Sequence, residues 1–314
     1  MKPLRIATRG SVLALWQANH IRERLAQLHG IDSELIRIRT SGDKFQGSSV
    51  AEVSQQVGTK GIFIKELEEA LLAGNADLAV HSMKDVPTEN PAGLVFPAII
   101  KREDVRDCLI SRNGARLKDI ASGARIGTSS LRRQAQVRHH RPDLQLFDLR
   151  GNVDTRLKKV AAGEFDAIVL ATAGINRLGA SDKITEIIPP EIMLPAVGQG
   201  ALGIETRADD RETSRFVAAL DDLESHAAVT AERALLRELE GGCQIPLGAW
   251  ARFENGELRL EACVFSADGK EFVRKELRGQ PGEAEKLGVR LGQIMIEAGA
   301  DRILRLAGRS VGRS

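Results

Sequence analysis

A strand-then-helix pattern that occurs twice, in the same order, is what most restricts the folds open to this chain. Arg5-Ile6-Ala7-Thr8 reads as a strand entering a helical run, and Arg125-Ile126-Gly127-Thr128 does the same through Ser129, Ser130, Leu131, Arg132 and Arg133. Further on, Ala73-Gly74-Asn75-Ala76-Asp77-Leu78-Ala79-Val80 is echoed by Ala162-Gly163-Glu164-Phe165-Asp166-Ala167-Ile168-Val169. Between the first members, Ser11 opens a segment whose apolar residues Leu15, Ile21, Leu25 and Leu28 have helical spacing. Ser33 to Arg39 alternates like a half-buried strand, and Leu67, Ala70 and Leu71 are helical again. Strands alternating with helices predict an α/β layer fold with a largely parallel sheet. The duplication predicts two similar doubly wound α/β lobes facing each other across a cleft. The first would be built from residues 1–100 with 200–218 completing it, the second from 101–199. Ligands of open α/β sheets bind beyond the carboxyl ends of the strands, so the residues that follow the strands are where function is expected.

After Pro189-Pro190 and the glycine-rich Val197-Gly198-Gln199-Gly200 the pattern changes. An amphipathic helix over Glu224 to Leu239 precedes strand-like runs at 247–254, 257–265 and 271–278. Asn255-Gly256 and Asp268-Gly269 have the composition of hairpin turns. With a last helix at 283–298, residues 219–314 form a small α+β domain, and Ala307 to Ser314 read as a frayed tail.

Charge narrows the function classes. The net charge is only +2, which gives no broad positive field for nucleic acid. No apolar stretch approaches the ~20 residues of a membrane span, and the N-terminus enters a strand-like run with no apolar leader. Three cysteines, Cys108, Cys243 and Cys263, form neither a disulfide framework nor a metal-ligand spacing, so no metal is expected and a cytoplasmic location is. The bases are uneven in kind, with 32 Arg against 13 Lys. Background composition explains a bulk excess, whereas arginines at strand ends can act as planar forks for carboxylates.

Three segments could carry chemistry. His81-Ser82-Met83-Lys84-Asp85-Val86-Pro87 follows a buried strand, so Asp85 either faces a ligand, stabilising a cation or passing protons, or is a solvated loop residue paired with Lys84. Gly127-Thr128-Ser129-Ser130-Leu131-Arg132-Arg133 opens a helix. Capping explains the hydroxyls, but two arginines in the first turn oppose the helix dipole unless an anion sits between them. Arg150, Arg156 and Arg177 fall at similar junctions. In Glu240-Gly241-Gly242-Cys243-Gln244 two glycines end a helix, leaving Cys243 as a nucleophile, a redox site, an attachment point or merely a small residue in a tight turn. Lys60 in Gly58-Thr59-Lys60-Gly61 lacks phosphate-loop spacing, and residues 42–59 read as a flexible loop.

Together these segments resemble the porphobilinogen deaminase (hydroxymethylbilane synthase) family over essentially the whole chain. The carrying motifs are Arg5-Ile6-Ala7-Thr8-Arg9, His81-Ser82-Met83-Lys84-Asp85, Gly127-Thr128-Ser129-Ser130-Leu131-Arg132-Arg133-Gln134, Leu149-Arg150-Gly151-Asn152-Val153, Leu194-Pro195-Ala196-Val197-Gly198-Gln199-Gly200 and Gly241-Gly242-Cys243-Gln244. The resemblance implies that the two lobes form a periplasmic-binding-protein-like clamshell and that the chain is a monomeric transferase of tetrapyrrole synthesis. Such an enzyme joins four porphobilinogen units head to tail with loss of ammonia, then releases hydroxymethylbilane by hydrolysis. It implies a dipyrromethane cofactor on the sulfur of Cys243 and a catalytic carboxylate at Asp85. It also implies clamps for substrate and cofactor carboxylates at Arg9, Arg132, Arg133, Arg150, Arg156 and Arg177, with Ser11, Lys60, Ser82, Lys84, Thr128 and Ser129 as further contacts. The competing expectation is a two-lobed small-anion-binding or effector-sensing protein, which would need neither the Gly-Gly-Cys turn nor a third domain.

Overall fold

The computed structural model describes residues 2–41, 64–239 and 245–311, with side chains up to residue 306. In chain order its strands are β1 Leu4–Thr8, β2 Ser33–Arg37, β3 Leu78–Ser82, β4 Leu94–Ile99, β5 Asp107–Ser111, β6 Arg125–Gly127, β7 Gln145–Phe147, β8 Ala167–Ala171, β9 Glu186–Ile187, β10 Leu202–Arg207, β11 Leu247–Glu254, β12 Glu257–Phe265 and β13 Phe272–Gly279. The α-helices are α1 Val12–His29, α2 Lys65–Leu72, α3 Leu131–His140, α4 Val153–Ala161, α5 Thr172–Arg177, α6 Arg211–Ala218, α7 Leu223–Glu238, α8 Ala284–Glu297 and α9 Ala300–Val311. Contacts divide the chain into one unit of Met1–Arg102 with Ala201–His226 and another of Glu103–Gly200 with Ala227–Ser314.

The first unit carries a five-stranded sheet in the order β2-β1-β3-β10-β4. Helix α1 starts where Ser11 accepts a hydrogen bond from the Ala14 amide and stops at Gly30, whose φ of 64° is the left-handed conformation that glycine tolerates. Ala18, Ile21 and Leu25 form its buried stripe. Both faces of the sheet are covered. Ile6, Leu78, Val80 and Ile204 pack on one side, and Ala7, Ala79, Leu67 and Leu71 on the other. This is why β3 reads as an unbroken apolar run instead of an alternating one.

The second unit repeats this arrangement in a sheet ordered β7-β6-β8-β5-β9. Ile126, Ala167 and Val169 pack on one face, Ile168 and Leu170 on the other. The duplication reaches single hydrogen bonds. The Arg5 amide donates to the Asp77 carboxylate at 2.9 Å, and the Arg125 amide donates to Asp166 at 2.8 Å. Gly74 and Gly163 both take left-handed φ, 69° and 78°, at the turn out of the preceding helix.

Each sheet is largely parallel, as the motif predicts, with one strand reversed. β1 runs parallel to β2 and β3, but β10 is antiparallel to β3 and β4. In the second sheet β6 is parallel to β7 and β8, while β5 is antiparallel to β8 and β9. The reason is connectivity. β10 and β5 come from outside the strand–helix–strand runs, so no crossover helix dictates their direction.

The second unit also holds the antiparallel sheet β11-β12-β13, with Asn255 (φ 54°) and Gly256 (φ 83°) forming the tight hairpin between β11 and β12. Leu235, Leu260, Leu291 and Met295 lie in its core. A Cβ on Gly288 would sit 2.2 Å from the Ala231 carbonyl oxygen, so only glycine lets α8 cross α7 this closely. Over 307–311 the expected frayed tail is instead helical: α9 continues to Val311, anchored nearer its start by Ala300 and Ile303 in the same core, and 312–314 lie outside the described residues. Among the described residues the architecture is therefore mixed α/β, with two five-stranded α/β sheets and a small α+β sheet.

Candidate functional site

The predicted site residues fall on both units. In the first, β3 ends in a single 3-10 turn, Met83–Asp85. Leu78, Ala79 and Val80 are buried within the sheet, Met83 is buried as the anchor of the turn, and Asp85 emerges exposed. A cavity of about 50 Å³ opens beside it, and Arg9, Gln17, His81, Ser82 and Asp85 are among its lining. Arg9 arrives from the end of β1. Thr8, just before it, is buried and donates its hydroxyl to the Ala14 carbonyl at 3.1 Å, which fixes the β1–α1 junction. Ser82 accepts a hydrogen bond from the Gln17 side chain at 3.0 Å, joining the strand end to α1. Ser11 is occupied as the helix cap. Lys84 is half-buried in the turn beside Asp85. The structure thus brings Arg9, Ser82 and Asp85 to one cavity and shows Ser11 acting as a cap.

In the second unit β6 leads through Thr128, Ser129 and Ser130 into α3. Ser130 caps the helix by accepting from the Arg133 amide. Thr128 is buried, and its carbonyl accepts from the Gln134 side chain at 2.8 Å. Ser129 both accepts from the Leu149 amide and donates to the Leu149 carbonyl, each at 3.0 Å, which pins the loop that carries Arg150.

The two arginines of the first helical turn do find an anion, and it is internal. Arg132 and Arg133 are 4% and 6% exposed, and between them lies Asp107, fully buried at the start of β5. Arg132 donates through Nη1 to one Asp107 oxygen at 2.7 Å. Arg133 donates to the other through Nη2 at 2.7 Å and Nε at 3.0 Å, and Gln199 adds a fourth bond at 3.0 Å. Burial alone would raise this carboxyl, but the two guanidiniums and their hydrogen bonds hold it well below the usual carboxylate range. Two cations around one anion leave a net positive charge. Arg132 Nε is moreover buried without a hydrogen-bond partner among the described residues. The loop supplying Gln199 is held by Glu232, which accepts from the Gly198 amide at 2.7 Å and the Ala251 amide at 2.8 Å.

Arg177 is buried and donates to the Gly200 carbonyl at 2.7 Å; burial brings its guanidinium down to about 10, so it stays charged at neutral pH. Arg150 lies 3.7 Å from Asp148, and Arg156 donates through Nε to the Gly151 carbonyl at 2.8 Å. Both are half-buried. Lys60 and Cys243, and the expected flexible loop at 42–59, lie outside the described residues.

Sequence reasoning passed over Asp107 as a functional group. Its only local sign is an acidic residue opening the apolar run Cys108-Leu109-Ile110, and its partners stand 25, 26 and 92 positions away. Cys108 and Cys263 are inert core: burial pushes their thiols up to about 11 and about 12. Among the described residues no group of three or more His, Cys, Asp or Glu could hold a metal ion, and no helix is long and apolar enough to cross a membrane.

Residues 4–215 match the family described as porphobilinogen deaminase, dipyromethane cofactor binding domain, and residues 226–297 match the porphobilinogen deaminase C-terminal domain. The chain is 49% identical over 302 residues to the porphobilinogen deaminase of Syntrophobacter fumaroxidans, covering 96% of each chain. It is 48% identical over 307 residues to that of Pelotomaculum thermopropionicum, covering 98% of this chain and 97% of the relative. Among solved structures it is similar to an ancestral cationic amino acid solute binding protein at 15% identity and a TM-score of 0.43, covering 69% of this chain and 87% of that one. A periplasmic substrate-binding protein from Coxiella burnetii matches at 12% identity and a TM-score of 0.42, covering 69% and 91%. With both family domains matched in order and about half of all residues identical along nearly the full length, the chain belongs to the porphobilinogen deaminase family.

Proposed function

We propose that in this transferase of haem biosynthesis, which condenses porphobilinogen on a dipyrromethane cofactor, Asp85 is the catalytic carboxylate and Cys243 carries the cofactor through a thioether. The observation that supports the first assignment is the cavity at the end of β3, where an exposed carboxylate at Asp85 and the Arg9 guanidinium line one space. Porphobilinogen brings an acetate, a propionate and an aminomethyl group, so its recognition calls for both signs of charge at short range.

In this reading Arg9 takes a substrate carboxylate as a planar fork. Loss of ammonia leaves a cationic methylene-pyrrole, and Asp85 stabilises that charge as it develops. After the new carbon–carbon bond forms, the attacking ring holds an extra proton, which the same carboxylate removes. Ser82 and Lys84 stand beside it on the same turn. Dipyrromethane supplies, when bound, the pyrrole ring onto which units are added. The donor set of the second unit suits such a polycarboxylate. The Arg132–Arg133–Asp107 cluster carries a net positive charge, Arg132 Nε is buried with no acceptor among the described residues, and Arg177 is a further buried cation. We assign Arg132, Arg133, Arg150, Arg156 and Arg177 to its carboxylates, with Thr128, Ser129, Ser11 and Lys60 as further contacts. The reading extends to a cytoplasmic monomer in which residues 1–100 with 200–218, 101–199 and 219–314 act as three domains.

The test uses the complete chain. Asp85→Asn keeps its shape and its cofactor mass, and turnover falls roughly 10²–10⁴-fold; near-normal turnover rejects the role. Cys243→Ser gives an intact mass equal to the bare sequence and no colour with a pyrrole reagent. Retained colour places the attachment elsewhere.

A further inference from the structure

Behind the Asp85 turn lies a buried pair of ionisable groups that the reaction as described does not use. His81, in β3, and Glu205, in β10, are 3% and 1% exposed at the side chain, with His81 Nε2 3.0 Å from Glu205 Oε2. The register places Gly203 opposite His81 and Glu205 opposite Ala79, so the two side chains are diagonal neighbours on one face of the sheet. They meet out of line for a hydrogen bond. Among the described residues, both Glu205 oxygens and His81 Nε2 are buried with no hydrogen-bond partner. Glu68 of α2 faces the same pair: its carboxyl is raised by burial and by Glu205, and drawn down by His81. Arg9 and Asp85 are the charged groups that share the cavity lining with His81.

Buried carboxylates without donors are costly, and replacing a buried ion pair by apolar residues is often neutral or stabilising. A fold that needed only packing here has no use for this pair. Its location supplies a use. His81 lines the cavity together with Ser82 and Asp85 and immediately precedes the turn. The Met83 amide donates to the Ala201 carbonyl at 3.0 Å, just before the strand that carries Glu205. A Cβ on Gly203 would meet Met83 Sδ at 2.2 Å and Phe96 Cδ1 at 2.9 Å, and the His81 ring stands edge-on to Phe96 at 5.9 Å. The turn is therefore held from β10 and the residue before it at two points, one through the Met83–Ala201 backbone hydrogen bond and one through the His81–Glu205 side-chain contact.

We propose that His81 and Glu205 are a positioning pair for the known reaction, holding the Ser82–Asp85 turn against β10 so that the Asp85 carboxylate is aimed into the cavity. This rests on the assignment of Asp85 made above. The experiment compares His81→Leu, His81→Gln, Glu205→Gln and Asp85→Asn in the full chain. Folding is followed by circular dichroism, cofactor loading by intact mass, and kcat and KM are measured with porphobilinogen. A misaimed group costs about 10²-fold in rate, so His81→Leu, folded and loaded, loses kcat by that order with KM within about threefold. His81→Gln regains about tenfold of the loss, because its amide nitrogen takes the place of Nε2 beside Glu205. Glu205→Gln changes the pH profile of kcat while KM is kept. The proposal is overturned by a loaded His81→Leu enzyme with wild-type kcat, by a change confined to KM, or by a glutamine variant no better than leucine. If His81→Leu does not fold, Glu205→Gln decides: wild-type kcat and pH profile overturn the pair. Asp85→Asn separates the two readings. A fully active Asp85→Asn enzyme sinks the Asp85 assignment itself, whereas an inactive one beside an unaffected His81→Leu sinks only the pair.

Discussion

Replacing Asp107 by asparagine keeps the shape of the side chain and removes the one negative charge between two buried guanidiniums. The cluster passes from a net +1 to +2 with Arg132 and Arg133 still almost completely buried. Removing one member of a buried ion pair costs about 3–5 kcal/mol, because the partner's charge is left uncompensated. For a unit of this size that corresponds to a fall in melting temperature of roughly 6–20 °C. The same charge tally predicts that Arg132→Met is milder. It takes the cluster to zero, leaves Asp107 with Arg133 and Gln199, and leaves the Leu194 carbonyl with its hydrogen bond from Gln136. Its cost is about 1–3 kcal/mol, that of the two buried hydrogen bonds Arg132 loses, to Asp107 and to the Leu194 carbonyl. The assay is thermal unfolding by circular dichroism on both variants at pH 7.5 and constant salt. If Arg132→Met melts at or below Asp107→Asn, or if Asp107→Asn melts within 2 °C of the parent, the reasoning from charge is refuted.

The same carboxylate gives an acid limit. Its folded-state proton affinity is depressed, so its contribution is complete above the ordinary aspartate value of about 4 and is lost as pH falls below it towards the folded value. The parent should lose urea stability more steeply than Asp107→Asn below pH 4; parallel curves would contradict this. Cys108 and Cys263, raised to about 11 and about 12, stay protonated thiols at pH 8. Iodoacetamide should therefore label them only after unfolding, and peptide mass spectrometry showing either labelled in the folded chain would count against it. Gly200→Ala sets a Cβ 2.5 Å from the Glu103 carbonyl at a φ of +87°, which should cost roughly 2–4 kcal/mol in a urea titration. An unchanged midpoint would show that this turn can relax.

What could be read from the sequence was local. The two strand–helix runs announce themselves because β1, β3, β6 and β8 are short apolar segments entered or left through Ser11, Gly74, Ser130 and Gly163, each residue acting within a few positions of itself. The hairpin at Asn255-Gly256 was legible for the same reason. Long-range pairing was not. Nothing near Leu202–Arg207 says that it inserts between β3 and β4, since the partners lie more than a hundred residues back. β4 contains Pro97, which is compatible with a strand because β4 is at the sheet edge, a fact that only topology supplies. The site followed the same rule. Two arginines opposing a helix dipole demanded an anion, and that demand was correct. The identity of one such anion, Asp107, could not be read, because its pairing depends on how β5 lies beside β8.

The place of β10 in the first sheet also sets an order of assembly. The segment holding β1, α1, β2, α2, β3 and β4 leaves the ribosome first, yet its sheet lacks the strand between β3 and β4 until residues 202–207 follow. At about 5–20 residues per second, that wait is roughly 6–24 s after the Ser82–Asp85 turn has been synthesised. During it the Met83 amide has no Ala201 acceptor and His81 no Glu205 beside it. The first unit is thus closed only by chain made after the first part of the second, and a nascent protein interrupted at residue 200 would hold every residue of the Asp85 turn without the strand that fixes it.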